Sequence, residues 1–302
     1  MASLRQIRSR IRSVQNSKQI MRAMQLVSGS KLKRAQDRLV QVRSVMQFLD
    51  ALLERVLIAQ ASGSSAKKPL THPLCQVRPS GPSALVVFTS DAGLCGSYNT
   101  NLVHLAESHL RRDAAAETQL IFVGRRGYRY ITKRGYHATE AYIDLAGRPN
   151  AAKVEVIGQS IVDRFLSGQV SSVSVLYSKF VSALVYQPVV QQFLPISLAG
   201  RQEAAGQRSE RPADPRDTDY IFEPSAEKVF ADLLPRWALI KFRLILLEAF
   251  TSEHSARMIA MRNATDNAQE LLDALTTQRN RIRQAAITKE LSEIVGTAEA
   301  LK

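Results

Sequence analysis

Stepping alternately three and four residues from Leu4 visits Leu4, Ile7, Ile11, Val14, Lys18, Met21, Gln25, Ser28, Leu32, Ala35, Leu39, Val42, Met46, Leu49, Leu53 and Val56, and thirteen of these sixteen positions are apolar. That spacing is the mark of a helix burying a narrow seam against another helix. The run holds no proline and one glycine, Gly29. It predicts a helix of about 55 residues, roughly 80 Å long at the standard rise. A globular domain of this size is far narrower, so the helix is expected to project and its seam to need a partner.

The partner is expected at the other end of the chain. Arg236 to Val295 spans 60 residues without a glycine or proline, and Met261, Ala264, Ala268, Leu271, Leu275, Ile282 and Ala285 keep a similar spacing with one gap at Gln278. Beyond Ala285 the apolar positions slip to Ile287, Leu291, Ile294, Ala298 and Leu301. The stripe thus changes face near Gln284, and the last turns are expected to meet a different partner. Starting near Pro224 or Pro235, this helix would outrun the first and overhang it by roughly 15 to 30 Å.

Between the helices the pattern alternates. Ala84 to Ser90 reads as a buried strand, Asn99 to Arg112 as a helix, Gln119 to Gly124 as a strand and Arg125 to Arg134 as a short helix. Tyr136 to Ile143 reads as a strand, Ala151 to Ser167 as a helix, and Ser172 to Lys179 and Leu184 to Leu194 as strands. Strand–helix alternation signifies an α/β layer with a largely parallel sheet. A punctuated linker at 62–82 and a polar loop from Ala199 to Asp217, expected to be mobile, bound it. The expected fold class is α/β: a long antiparallel coiled coil of N- and C-terminal helices carrying an inserted Rossmann-like domain. The expected division is 1–60, 61–222 and 223–302, the last ending in a single-helix tip.

Charge sharpens this picture. The net charge is +14, and residues 1–60 carry 12 basic against 3 acidic residues. Such a segment suits nucleic acid, an anionic membrane surface or acidic faces of protein partners. Two cysteines, Cys75 and Cys95, exclude a disulfide-rich scaffold and offer no zinc-ligand spacing. Basic residues recur where a secretion signal would need an apolar stretch, so none is expected. The longest uncharged run, Phe180 to Gly200, contains Pro188, Pro195 and three glutamines, which fits strands better than a membrane span.

Chemistry-bearing motifs are sparse. The turn Ser90-Asp91-Ala92-Gly93-Leu94-Cys95-Gly96-Ser97 has a G-x-x-G but neither a G-x-G-x-x-G nor a Walker lysine, and reads as a tight structural turn rather than a phosphate cradle. Cys95 has no supporting base motif. The five histidines show no i, i+4 pair and no H-E-x-x-H, so no metal site is expected. The basic first helix remains a candidate for acidic protein faces or, less well, for phosphates, because the apolar seam runs through the same residues. An enzyme using the α/β domain and a basic nucleic-acid binder are the alternatives these residues leave open.

Longer motifs resemble one family. Ile7 to Asn16 (IRSRIRSVQN), Lys18-Gln19-Ile20, Arg22-Ala23-Met24 and Lys31 to Gln36 (KLKRAQ) resemble the N-terminal helix of F-type ATP synthase gamma subunits. Ser90 to Gly96, Ser252 to Met258 (SEHSARM), Ala264 to Ala268 and Arg283 to Leu291 are similar to the same family. The resemblance spans essentially the whole chain. It implies a central rotor shaft that performs no bond chemistry, binds no cofactor and no nucleic acid, and lies peripherally at the cytoplasmic face of the bacterial inner membrane. Implied partners are the alpha and beta subunits of the head, the epsilon subunit and the membrane ring of c subunits. Lys18, Arg22, Met24, Arg257, Gln284 and Thr288 are the residues the resemblance would set against beta. Ala92 stands where the family often has a basic residue and Lys289 where it usually has glutamine. The loop from Ala199 lacks the cysteine pair of chloroplast members, so no thiol switch is expected and Cys95 reads as buried and structural.

Overall fold

The computed structural model describes residues 4–62, 70–112, 117–145, 151–198 and 222–300. Two helices dominate, α1 (Leu4–Ser62) and α5 (Ala226–Ala300). Between them lie β1 (Ser83–Phe88), α2 (Tyr98–Arg112), β2 (Thr118–Val123), α3 (Arg125–Lys133), β3 (Glu140–Tyr142), α4 (Ala151–Leu166), β4 (Ser172–Phe180) and β5 (Tyr186–Leu194). The five strands form one sheet in the order β3-β2-β1-β4-β5. β1 pairs in parallel with β2 and β4, β2 with β3, and only β4–β5 is antiparallel. A mostly parallel α/β sheet inserted between two long helices is the expected fold class. The polar loop expected from Ala199 to Asp217 lies outside the described residues, as does 63–69 of the expected linker.

Local boundaries shift in places, and β3 is only Glu140–Tyr142 where Tyr136 to Ile143 was expected. α5 starts at Ala226, as the first of the two expected starts, near Pro224, has it, and Pro235 lies inside the helix. Ser225 starts it, its Oγ accepting from Lys228 N at 3.2 Å. An interior proline costs a helix about 3 kcal/mol, and burial of Phe230, Leu233, Leu234 and Trp237 around it offsets that cost. β5 starts at Tyr186, because Ser182 closes a turn with its carbonyl and Oγ on Val185 N. The linker contains a 3-10 turn, Pro73–Cys75, capped by His72, whose Nδ1 accepts from Leu74 N at 3.1 Å.

The fold comprises two compact units. One is Lys31–Ala256; the other joins Met1–Ser30 to Arg257–Lys302. In the first, residues 244–256 of α5 are buried on every face, the behaviour of a core helix rather than a surface one. Leu39, Val42, Met46, Leu49, Leu53 and Val56 of α1 are buried along the expected seam. Phe242 stacks near Phe88 of β1 at 5.7 Å and Phe193 of β5 at 5.9 Å. A Cβ on Gly158 of α4 would lie 3.0 Å from Phe242 Cδ1, so glycine there lets the helices meet closely. On the opposite sheet face Leu85, Val87, Leu120, Phe122 and Leu176 pack with Leu102, Val103 and Ala106 of α2 and Ile131 of α3.

Candidate functional site

The six residues singled out by resemblance all fall in the unit formed by Met1–Ser30 and Arg257–Lys302. This unit holds 13 basic and 6 acidic residues, half of the net charge in a quarter of the chain. Its two helices run antiparallel in a readable register: Lys18 Nζ bonds Gln269 Oε1, and Gly29 faces Met258 Sδ, each pair of residue numbers adding to 287. In that register Leu4 stands opposite residue 283. No described residue of α1 therefore lies opposite 284–300, a stretch of roughly 25 Å at the helical rise.

Register places the six residues at separate levels. Lys18, Arg22 and Met24 stand opposite 269 to 263, Arg257 opposite Ser30, and Gln284 and Thr288 beyond the end of α1. They form no single constellation. Lys18 and Met24 are half-buried, Arg22 is exposed and Arg257 is buried. Gln284 and Thr288 are exposed and joined, Thr288 Oγ1 donating to the Gln284 carbonyl at 3.0 Å. Lys18 is held in place by Gln269, whose amide in turn donates to Asp273 Oδ1 at 2.8 Å.

What brings these levels together is exposed apolar surface. Ile20, Met24 and Val27 share one flank of α1 at i, i+4, i+7 spacing, with Ile20 61% and Val27 55% exposed. Lys18, Arg22 and Leu26 share the other flank, and Leu26 is 68% exposed. On α5, Ile287, Leu291, Ile294 and Val295 are exposed along the stretch that has no α1 beside it. Exposed apolar rows rimmed by cations are a feature that docking surfaces often share. Ile20, Leu26 and Val27 escaped the sequence reading, although they were visible there as apolar residues off the seam.

The Ser90–Ser97 turn is braced by its own hydrogen bonds, and a cavity opens beside it, lined by Gly93, Gly96, Asn99, Arg126, Arg129 and Lys133. Asp91 Oδ1 accepts from Arg125 N at 3.0 Å and from Asp144 N at 3.2 Å, so a carboxylate of the chain already occupies the N-terminus of α3. Asn99 accepts from Ser90 N at 2.9 Å and donates to Cys95 Sγ at 3.1 Å. Leu94 and Gly96 are left-handed at φ 62 and 57, and Cys95 is buried. Cys75 is half-buried, and burial pushes its thiol up to about 11. Among the described residues no group of three or more His, Cys, Asp or Glu is placed to hold a metal.

Bonds from the long helices gather near the carboxyl end of β4 and the start of α2. The winding reverses between β1 and β4, and ligands in such sheets sit outside the carboxyl ends of the strands at that point. Here Tyr98, just after β1, donates to the Ala249 carbonyl of α5 at 3.0 Å. Ser252 donates to the Ser178 carbonyl at 2.9 Å and Ser255 to the Ala183 carbonyl at 2.5 Å. Arg43 of α1 donates to the Phe180 carbonyl at 3.0 Å and to Glu248 Oε1 at 2.7 Å. The Ser252–Ala256 part of the SEHSARM motif thus serves as a joint.

A family model described as ATP synthase matches residues 3–301. The chain is 39% identical over 302 residues to the ATP synthase gamma chain of Desulfitobacterium hafniense and 40% identical over 307 residues to that of an Anaeromyxobacter species (strain Fw109-5), with all of each chain covered. Among solved structures it is similar to a chain of the Euglena gracilis mitochondrial ATP synthase (OSCP/F1/c-ring, rotational state 3), at TM-score 0.66 and 17% identity over 99% of this chain and 94% of that one. It is also similar to a chain of the Tetrahymena thermophila mitochondrial ATP synthase (central stalk/c-ring), at TM-score 0.55 and 23% identity over 81% and 99%. At these identities the structural likeness is one of fold.

Proposed function

The chain belongs to the ATP synthase gamma-chain family, and on that premise we propose that it is the central-stalk rotor subunit, coupling ion flow through a membrane ring to the conformational cycle of catalytic beta subunits. The observation that carries the reading is the end of α5: residues 284–300 run beyond α1 with Ile287, Leu291, Ile294 and Val295 exposed. A soluble monomer gains nothing from such a row, whereas a shaft tip seated in a sleeve of other subunits would bury it.

The helices around the tip would present a different face to each of three beta chains, so turning them would move each site through a different conformation. Lys18, Arg22, Met24, Arg257, Gln284 and Thr288 are the contacts we propose with beta. Cations such as Arg22 would steer and position acidic loops more than they add affinity. The alpha subunits complete the sleeve, and the epsilon subunit and the c-ring would take the α/β domain side. No described helix is long and apolar enough to cross a membrane, which supports a peripheral position, proposed here at the cytoplasmic face of the bacterial inner membrane.

Co-expression with alpha and beta chains, followed by sizing and an ATPase assay, tests the reading. The expected species carries one copy of this chain per three beta chains, and the isolated chain turns over no nucleotide. A chain that stays alone as a monomer or dimer would sink the proposal.

A further inference from the structure

We infer that Arg43 and Glu248 form a register pin, which fixes the axial setting of α1 on α5 and fastens both helices to the end of β4; resting on the rotor reading, twist between sheet and helices passes through it. The seam beside it is mostly apolar, with Leu39, Val42, Met46, Leu49 and Leu53 buried on α1; its other polar tie here is Trp237 Nε1 donating to Asp50 Oδ1 at 2.9 Å, at the half-buried edge. Apolar burial is non-directional, so a seam repeating every three to four residues is nearly as well satisfied after a slip. A buried polar contact is the attested way to choose one register.

The geometry meets that need. Glu248 is 6% exposed on the stretch of α5 that is buried on every face, while the Arg43 side chain enters from the half-buried edge of α1, 39% exposed. One guanidinium nitrogen of Arg43 lies 2.7 Å from Glu248 Oε1 and 3.0 Å from the Phe180 carbonyl, joining α1, α5 and β4 at one point. Tyr177 of β4 adjoins the pair: burial pushes its hydroxyl pKa up, and the Glu248 carboxylate raises it further. On the other side, Ser252 and Ser255 hold the Ser178 and Ala183 carbonyls of the same hairpin. Sliding α1 by one turn would carry the guanidinium about 5.4 Å from both acceptors and leave Glu248 buried without its cation.

The test separates pinning from plain stability. Loss of Arg43 alone would strand the buried Glu248 carboxylate and risks unfolding, so both residues are replaced together, R43M with E248M, in a W237F parent whose Asp50–Trp237 bond no longer holds the helices; apolar replacement of such a pair is often neutral or stabilising. Nitroxide labels at Gln47→Cys and Arg243→Cys in a C75S background report the helix register by double electron–electron resonance, on the full chain and in the reconstituted complex. The expected result is an unfolding midpoint no lower than the parent's, a second distance population displaced by about one turn, and at least threefold less ion pumped per ATP hydrolysed. A single unchanged distance population overturns the pin. A split population with unchanged pumping overturns its role in transmission. Failure of even the unsubstituted chain to assemble with alpha and beta chains would count against the rotor reading instead, and the distances on the isolated chain would still decide the pin.

Discussion

Cutting the chain after Gln284 removes the stretch of α5 that stands beyond α1. Of residues 285–297 all but Ala286 are exposed, so their loss takes almost nothing from the folded chain itself. Exposed changes of this kind stay within about 0.5 kcal/mol, which for a fold of this size moves the melting temperature by less than roughly 2 °C. Assembly is a different matter. Ile287, Leu291, Ile294 and Val295 are 48%, 58%, 64% and 61% exposed. If partner subunits cover that surface, at roughly 1.5–3 kcal/mol for each fully buried side chain, the four contribute about 3–7 kcal/mol before the cost of ordering. Even half of the lower figure is about tenfold in affinity. The expected outcome is an unchanged thermal transition of the isolated chain, with dissociation from the alpha–beta head at least tenfold faster or coupled ATP synthesis reduced. Unchanged dissociation together with unchanged synthesis would refute the docking argument. A melting temperature lowered by more than 5 °C would refute the claim that the stretch stands apart from the fold.

Three further outcomes follow from the packing. Gly158→Val places new atoms against Phe242 Cδ1 at 3.0 Å and Leu239 Cδ2 at 3.3 Å; it should destabilise by about 1–3 kcal/mol through overpacking, seen as a lower urea midpoint, where helix propensity alone predicts a gain. Ser178 Oγ is buried without a hydrogen-bond partner among the described residues, so Ser178→Ala should raise the urea midpoint, by about 1 kcal/mol for release of an unmet hydroxyl; a loss of stability would point to a partner for that hydroxyl. The Cys75 thiol, pushed up to about 11 by burial, should alkylate slowly with iodoacetamide at pH 8 and speed up as pH approaches 11. Because the folded state holds that proton more tightly than the unfolded chain, its contribution to stability is complete below the unfolded thiol pKa and fades as pH rises through about 11; peptide mapping and alkaline urea titrations check both signs.

How much of this was legible depended on whether a residue's surroundings are one-sided. α1 has a buried face and an open face, so its seam from Leu32 to Val56 could be read by stepping along the sequence. The stretch 244–256 of α5 is enclosed all round, and a helix enclosed all round has no stripe to find. The strands were recognisable as apolar runs, but the start of β5 is set by the Ser182 turn and the 3-10 turn by the His72 cap, to which hydrophobic patterning is blind. Arg43 and Glu248 are 205 residues apart, and nothing local to either marks the pair. Of the proposed docking residues, Lys18, Arg22, Met24, Arg257, Gln284 and Thr288 came from resemblance, whereas Ile20, Leu26 and Val27 were readable as apolar residues on the wrong face of a seam.

The α/β sheet shows why fold and function part company here. Its topology offers the crevice at which related architectures hold nucleotides, between β1 and β4. In this chain Tyr98, Ser252, Ser255 and Arg43 spend their donors on Ala249, Ser178, Ala183 and Phe180 carbonyls near the carboxyl end of β4 and the start of α2, and Asp91 takes the N-terminus of α3. These donors recognise other elements of the same chain. A sheet that binds its own helices in this way acts as a bracket, and these polar bonds are the ones that resist twisting the bracket on the helices it grips.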